Sequence, residues 1–335
     1  MKDQRKTRTV SWYRTPLPRE QMRELNRRSD WKGLLQTLGH LTLIVLTGTL
    51  VWHVQDRLYL LLPALLAYGT FYIFLLNATH ELCHNTVFKT QFLNDLFLRL
   101  FCFLGWRSHI HFWTSHAEHH KYTLHPPDDL EVVLPANLTL QSFIQLGFVD
   151  PWTLCSTIKT HIEHSLGIIR GEWPNHLFPP DAVDKRRRLF WWARFLLAGH
   201  GTLVGVSLYY GFWLLPVLTS CGVFYGGWLR YLCNGTQHAG LQDDVPDFRL
   251  CTRTVLLNPL VRFLYWHMNF HIEHHMYAAV PCYNLGKLHE AIRYDSPEPP
   301  RGLIAAWRGI IAIERKQRVD PAYQFVPELP ELTTS

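Results

Sequence analysis

Histidine sets this sequence apart, occupying 20 of 335 positions. Most of the tight groupings have metal-ligand spacing: His80 with His84; His116 with His119 and His120; His271 with His274 and His275. A further histidine, His238, follows Asn234 by four positions. On a helix, residues i, i+3 and i+4 lie on one side, so each group presents its imidazoles together. The three groups supply eight rings, and His238 makes nine. Neutral imidazole nitrogen suits Fe, Zn, Cu or Ni. Nine ligands are too many for one ion and suit two. At this histidine frequency, H-x-x-H-H arises by chance about 0.07 times per chain, so two copies carry weight where the lone His80/His84 pair does not.

Two other readings of these rings are chance clustering and a dizinc hydrolase. The hydrolase lacks its usual carboxylate and bridging pattern here, and it needs no membrane stem. His161 and His164 imitate a box without the adjacent third histidine and read as structural. His109, His111, His125 and His267 lie beside boxes and read as supporting or interfacial residues. His40, His53 and His200 fall in or near apolar spans and take no assignment. Glu81, Glu118, Glu273, Asp243 and Asp244 are candidates to accept hydrogen bonds from ligand rings. Asp128 and Asp129 are expected to pair with a basic surface instead. Asn234 precedes Gly235, and Asn-Gly also ends helices well.

The elements that position these groups follow from hydropathy. Residues 33–54 and 58–79 read as two membrane helices, each near the ~20 apolar residues a bilayer requires. Only Gln55, Asp56 and Arg57 separate them. Residues 91–106 are apolar but interrupted by Asn94, Asp95 and Arg99, which predicts an interfacial helix. A polar section over 107–188 follows, ending in Lys185, Arg186, Arg187 and Arg188, a run suited to anionic lipid. Residues 189–210 and 212–233 read as a third and a fourth span. The expected fold is all-α, with four membrane helices in two hairpins and a helical cytoplasmic cap holding two metals. The expected organisation is a basic arm at 1–32, a catalytic membrane unit at 33–300 and a tail at 301–335.

Lys and Arg concentrate in the arm, the middle section and the C-terminal part, so these parts and both termini are expected to be cytoplasmic. The four histidine groups then meet at one membrane face. The net charge of +6 needs no nucleic acid, and no nucleic-acid-binding signature appears. Seven scattered cysteines without a C-x-x-C pair argue against a disulfide framework or a cysteine zinc site. The first 32 residues lack the apolar core of a signal peptide.

The order H-x3-H, H-x2-H-H, H-x2-H-H between two apolar hairpins resembles the membrane fatty acid desaturase and hydroxylase superfamily. Residues 267–292 (HMNFHIEHHMYAAVPCYNLGKLHEAI) are especially similar to acyl-lipid and acyl-CoA desaturases, and the likeness covers roughly 30–300. It implies an O2-dependent di-iron enzyme that removes two vicinal hydrogens from an acyl lipid or acyl thioester. It also implies His80, His84, His116, His119, His120, His238, His271, His274 and His275 as iron ligands. Stearoyl-CoA members have an N-x3-H pattern after the fourth span, which makes Asn234 a water-linked neighbour of iron. The sequence shows no haem, flavin or ferredoxin signature, so a separate donor of ferredoxin, rubredoxin or cytochrome b5 type is expected. A basic cytoplasmic face would steer an acidic donor. A hydroxylase on the same scaffold shares the boxes, and a non-catalytic metal-binding protein is the third reading.

Overall fold

The computed structural model describes residues 8–136 and 138–331, and among these it is helical with no β-strand. The all-α expectation holds. Two helical stretches, Asp30–His53 and Leu58–Cys83, are long and apolar enough to cross a membrane. The first, α1 (Asp30–His53), starts at Ser29, whose side chain accepts from Lys32 N, satisfying one of the helix's orphan donors. Its large apolar side chains Leu35, Leu38, Val45, Leu46 and Leu50 are exposed. So continuous an apolar exposed face suits lipid.

The second stretch is α2 (Leu58–Tyr72) and α3 (Leu75–Cys83), joined by a tight turn at Ile73 and Phe74. It runs one turn beyond 79, so His80 sits inside the helix rather than at its end. The segment 91–106, expected to be an interfacial helix, is helical over α4 (Gln91–Leu104). Asn94, which made that segment look interrupted, is fully buried. Its amide holds both backbone groups of Phe88, at 3.0 and 3.3 Å. The chain then continues into α5 (His109–Tyr122) and α6 (Pro151–Ser165). The third apolar segment is α7 (Val183–Tyr209), which starts earlier than expected and includes the basic run.

The expectation of one helix over 212–233 is corrected. That stretch is α8 (Leu214–Thr219), a 3-10 turn at Gly222–Phe224, extended chain, then α9 (Trp228–Asn234). Hydropathy measured its composition, not its backbone pairing. Gly226 N donates to Phe148 O at 2.9 Å, Asp150 N donates to Phe224 O at 2.8 Å, and Val149 bridges Tyr225. Gly226 also has φ +72, and a Cβ there would lie 2.5 Å from Thr70 N. Only glycine fits so close a backbone approach at positive φ.

Later helices include α10 (His271–Met276), α11 (Leu285–Ile292) and α12 (Leu303–Gln317). Leu75, Leu82, Phe88, Phe101, Trp266, Ile272 and Leu285 form one core that joins α3 and α4 to α10 and α11. Residues 12–15 pack against Phe248 and the end of α10. Trp12 stacks on Phe248 with ring centroids 4.0 Å apart, and Arg14 Nε donates to Met276 O at 2.8 Å.

Candidate metal centre

The structure brings all nine sequence-picked histidines together. His80 lies in α3 and His84 just past its end; His116, His119 and His120 lie in α5; His238 follows α9; His271, His274 and His275 lie in α10. They divide into two groups. His80, His84, His116, His120 and His274 each offer a nitrogen within 4.8 Å of the others, as do His119, His238 and His275. His271 joins the second group: its Nε2 is 3.0 Å from His238 Nε2 and 3.1 Å from His275 Nε2.

This division refines the reading that each triplet points one way. Along a helix, i and i+4 nearly eclipse while i+3 is turned aside. In α5 the i, i+4 pair His116 and His120 serves the first group and His119 the second. In α10 the pair His271 and His275 serves the second group and His274 the first. Each H-x-x-H-H box therefore spans both groups and ties them together.

Outer partners fix the tautomers. His116 Nδ1 donates to Glu131 Oε1 and His119 Nδ1 to Asp129 Oδ2, both at 2.8 Å. His238 Nδ1 donates to the carbonyl of Cys251 at 2.9 Å, and His80 Nδ1 to Glu81 Oε1 at 3.1 Å. The hydroxyl of Thr123 donates to His119 O at 2.6 Å, so it accepts from His275 Nδ1 at 3.2 Å. With Nδ1 protonated, each of these rings turns a lone pair on Nε2 inward. His120 Nε2 stands 3.0 Å from His116 Nε2 and 3.1 Å from His274 Nε2. His80 Nε2 and His84 Nε2 are buried without a partner.

This donor set fits two metal ions. Several nitrogen lone pairs facing one another about 3 Å apart repel unless a cation lies among them, and two nitrogens bound at right angles to one ion stand about that far apart. Burial, and then neighbouring rings, hold His116, His120, His271 and His275 well below the ordinary histidine pKa. Burial and then His119 bring His238 down to about 3. Neutral rings can bind a metal at neutral pH without first losing a proton. His119 differs: burial pulls it down, but the charge and hydrogen bond of Asp129 outweigh that and hold it above its ordinary value. Such a carboxylate raises ligand basicity.

Asp129 is a correction, since it was expected at a basic surface. It is fully buried and also accepts from Leu124 N and Glu131 N. Glu131 was not singled out at all. The signal was the turn after the box, where Asp128 N and Asp129 N both donate to His125 O and fold the chain back along α5. Glu81 meets its expectation, but Glu273 holds His289 and Thr254 instead. Asp243 pairs with Gln324 and Asp244 with Arg8. His161 is structural as expected, bonded to Trp106 O at 3.0 Å. His40 and His200 also serve as ties, to Phe71 O and Trp266 and to Phe103 O and Ser220. Asn234 lies near His238, and its Oδ1 accepts from Asn77 Nδ2 at 3.4 Å. Replacing Asp129 by Asn is expected to weaken metal retention about 10- to 100-fold, measured by chelator competition; unchanged retention would show that His119 needs no anionic partner.

Two cavities flank α5. One of about 370 Å³ touches both histidine groups. An open groove of about 750 Å³ lies on the other side, walled by Leu98, Trp113, Trp191 and Phe195 with Arg99, Lys185, Arg187 and Arg188 among its lining.

Two adjacent, largely buried, all-histidine groups on helices define a site fit to hold metal ions. The fatty acid desaturase family model matches residues 56–305, three quarters of the chain. The chain belongs to the fatty acid desaturase family, which is a family of oxidoreductases. No curated protein matches it.

Proposed function

We propose that the protein is a membrane-embedded, O2-dependent di-iron acyl-chain desaturase. The observation that carries this reading is the division of nine histidines, seven buried and His84 and His120 half-buried, into two touching groups. His80, His84, His116, His120 and His274 would hold one iron; His119, His238, His271 and His275 would hold the other, with Asn234 linked to it through water. Bound there, the irons supply the activation of O2 needed to oxidise an unactivated C–H bond. In the balanced reaction a –CH2–CH2– unit, O2, two electrons and two protons give –CH=CH– and two waters. Glu131, Asp129, Thr123 and the Cys251 carbonyl orient the ligand rings. The walls of the cavity position the chain, and small misplacements there cost much rate.

The α1–α2/α3 hairpin, and α7 with the broken α8–α9 segment, would cross the bilayer and leave both termini and the metal centre cytoplasmic. The arm at 1–32 and the tail at 301–335 flank a catalytic unit at 33–300. The substrate is an acyl lipid or acyl thioester, and the basic groove beside α7 suits its approach from an anionic membrane surface. The electrons come from a ferredoxin, rubredoxin or cytochrome b5 type donor.

Lipid mass spectrometry of cells expressing the chain with a donor system, against cells with an empty vector, tests this. An acyl species lighter by two hydrogens is expected. A species gaining one oxygen would replace the desaturase with a hydroxylase, and an unchanged profile with active donor and full iron would remove the acyl assignment.

A further inference from the structure

The cavity of about 370 Å³ that reaches His80 and His116 of one group and His119 and His271 of the other is also lined by Arg107 and Arg230. Neither guanidinium makes a direct ion pair among the described residues, and Glu131 acts on Arg107 only from a longer distance. Arg107 uses Nη1 alone, donating to Leu76 O at 2.8 Å and Thr79 Oγ1 at 3.0 Å, and lies 4.3 Å from the Phe112 ring. Arg230 uses only Nε, which donates to Asn77 Oδ1 at 2.9 Å. Among the described residues, no carboxylate lies in ion-pair contact with either. Glu131 shares the cavity, but its oxygens accept from His116 and Ser115. Four guanidinium nitrogens, Nε and Nη2 of Arg107 with Nη1 and Nη2 of Arg230, are left without a protein acceptor.

Half-burying a cation without an ion-pair partner is costly. Two of them beside two metal-holding groups compound the cost, because bound metals add positive charge. The middle of an acyl chain would leave every one of these donors bare. A carboxylate or phosphate would satisfy them, since planar guanidinium donors match such oxygens in pairs. The cavity also limits reach: a sphere of its volume is roughly 9 Å across, at the small end of ligand pockets.

We infer that Arg107 and Arg230 form an anion subsite, and that the substrate carries a carboxylate or phosphate ester within a handful of carbons of the carbon that is oxidised. The position of oxidation rests on the di-iron reading; the anion subsite stands without it.

The test is equilibrium dialysis of octanoate, octyl phosphate and octan-1-ol against the iron-loaded full chain in zwitterionic nanodiscs under argon, with empty nanodiscs subtracted. At least one anion is expected to bind about tenfold or more tightly than the alcohol. Which anion does so separates carboxylate from phosphate. Arg107→Gln and Arg230→Gln should each remove most of that preference while binding of octan-1-ol and metal content stay the same. Equal binding of anions and alcohol by the unaltered protein would overturn the inference, whatever the variants do. A preference that survives in both variants would overturn it too. Anion preference without O2 consumption would support the subsite and retire the desaturase reading, whereas oxidised lipid without anion preference would overturn the subsite alone.

Discussion

On the proposed di-iron reading, replacing His274 by alanine is expected to reduce bound iron from two per chain to about one and to lower turnover at least 100-fold, beyond what losing an outer partner of a ligand typically costs. The ion lost should be that of the five-histidine group. His274 sits in α10 between His271 and the other group's His275, yet its Nε2 is 3.1 Å from His120 of the first. His275→Ala should deplete the other ion, because His275 Nε2 faces His271 at 3.1 Å. Neighbours in sequence therefore give opposite depletions. Metal analysis combined with Mössbauer spectra of the two variants would separate them, since the sites differ in having five and four imidazoles. Two variants that keep both irons, or that lose the same one, would break the assignment of α10 across both groups.

The helical spacing that makes this division possible was legible in the sequence, because H-x-x-H-H fixes side-chain directions once a helix is granted. All nine rings were picked out on that basis together with the family likeness, and the structure gathers all nine. What holds the rings was less legible. Asp129 and Glu131 reach His119 and His116 through a turn at 125–129, and nothing in hydropathy or charge reports where a turn delivers a carboxylate. Glu81 was legible because it shares a helix with the ring it touches. The segment at 212–233 failed for a related reason. Apolar composition is common to a continuous helix and to a broken segment, and the backbone pairing of 224–226 with 148–150 is a long-range fact. The arm misleads in the same way: it is basic and polar, yet residues 12–15 contact positions more than 100 residues away.

That arm leads to the largest expected effect on stability. Arg249 is nearly buried between two carboxylates: Nη2 donates to Asp247 Oδ2 at 2.8 Å, and Nη1 donates to Asp295 Oδ1. Its guanidinium carbon lies 3.9 Å from the Tyr13 ring. Asp295 is almost fully buried and also accepts from Tyr13 OH and Thr15 Oγ1, both at 2.7 Å. Burial and then Asp295 raise the Tyr13 pKa to about 12, so the phenol stays a donor throughout the working range. Arg249→Met removes the cation that pairs with both and leaves two buried carboxylates with no charged partner among the described residues. Breaking such a network from one side costs about 3–5 kcal/mol. The loss should not remain local. Phe248, which stacks on Trp12, lies 5.5 Å from the His275 ring, so loosening the arm should also speed iron loss from the four-histidine group. Denaturant titration of the purified variant should show the destabilisation, and trypsin should cut at Arg8 and Arg14 well before it attacks the rest. Replacing Asp247 and Asp295 with Asn in the same chain should recover much of the loss, because no unpaired charge then stays buried. An unchanged midpoint for Arg249→Met would mean that water reaches the two carboxylates, and that the arm is held by the Trp12 stack rather than by charge.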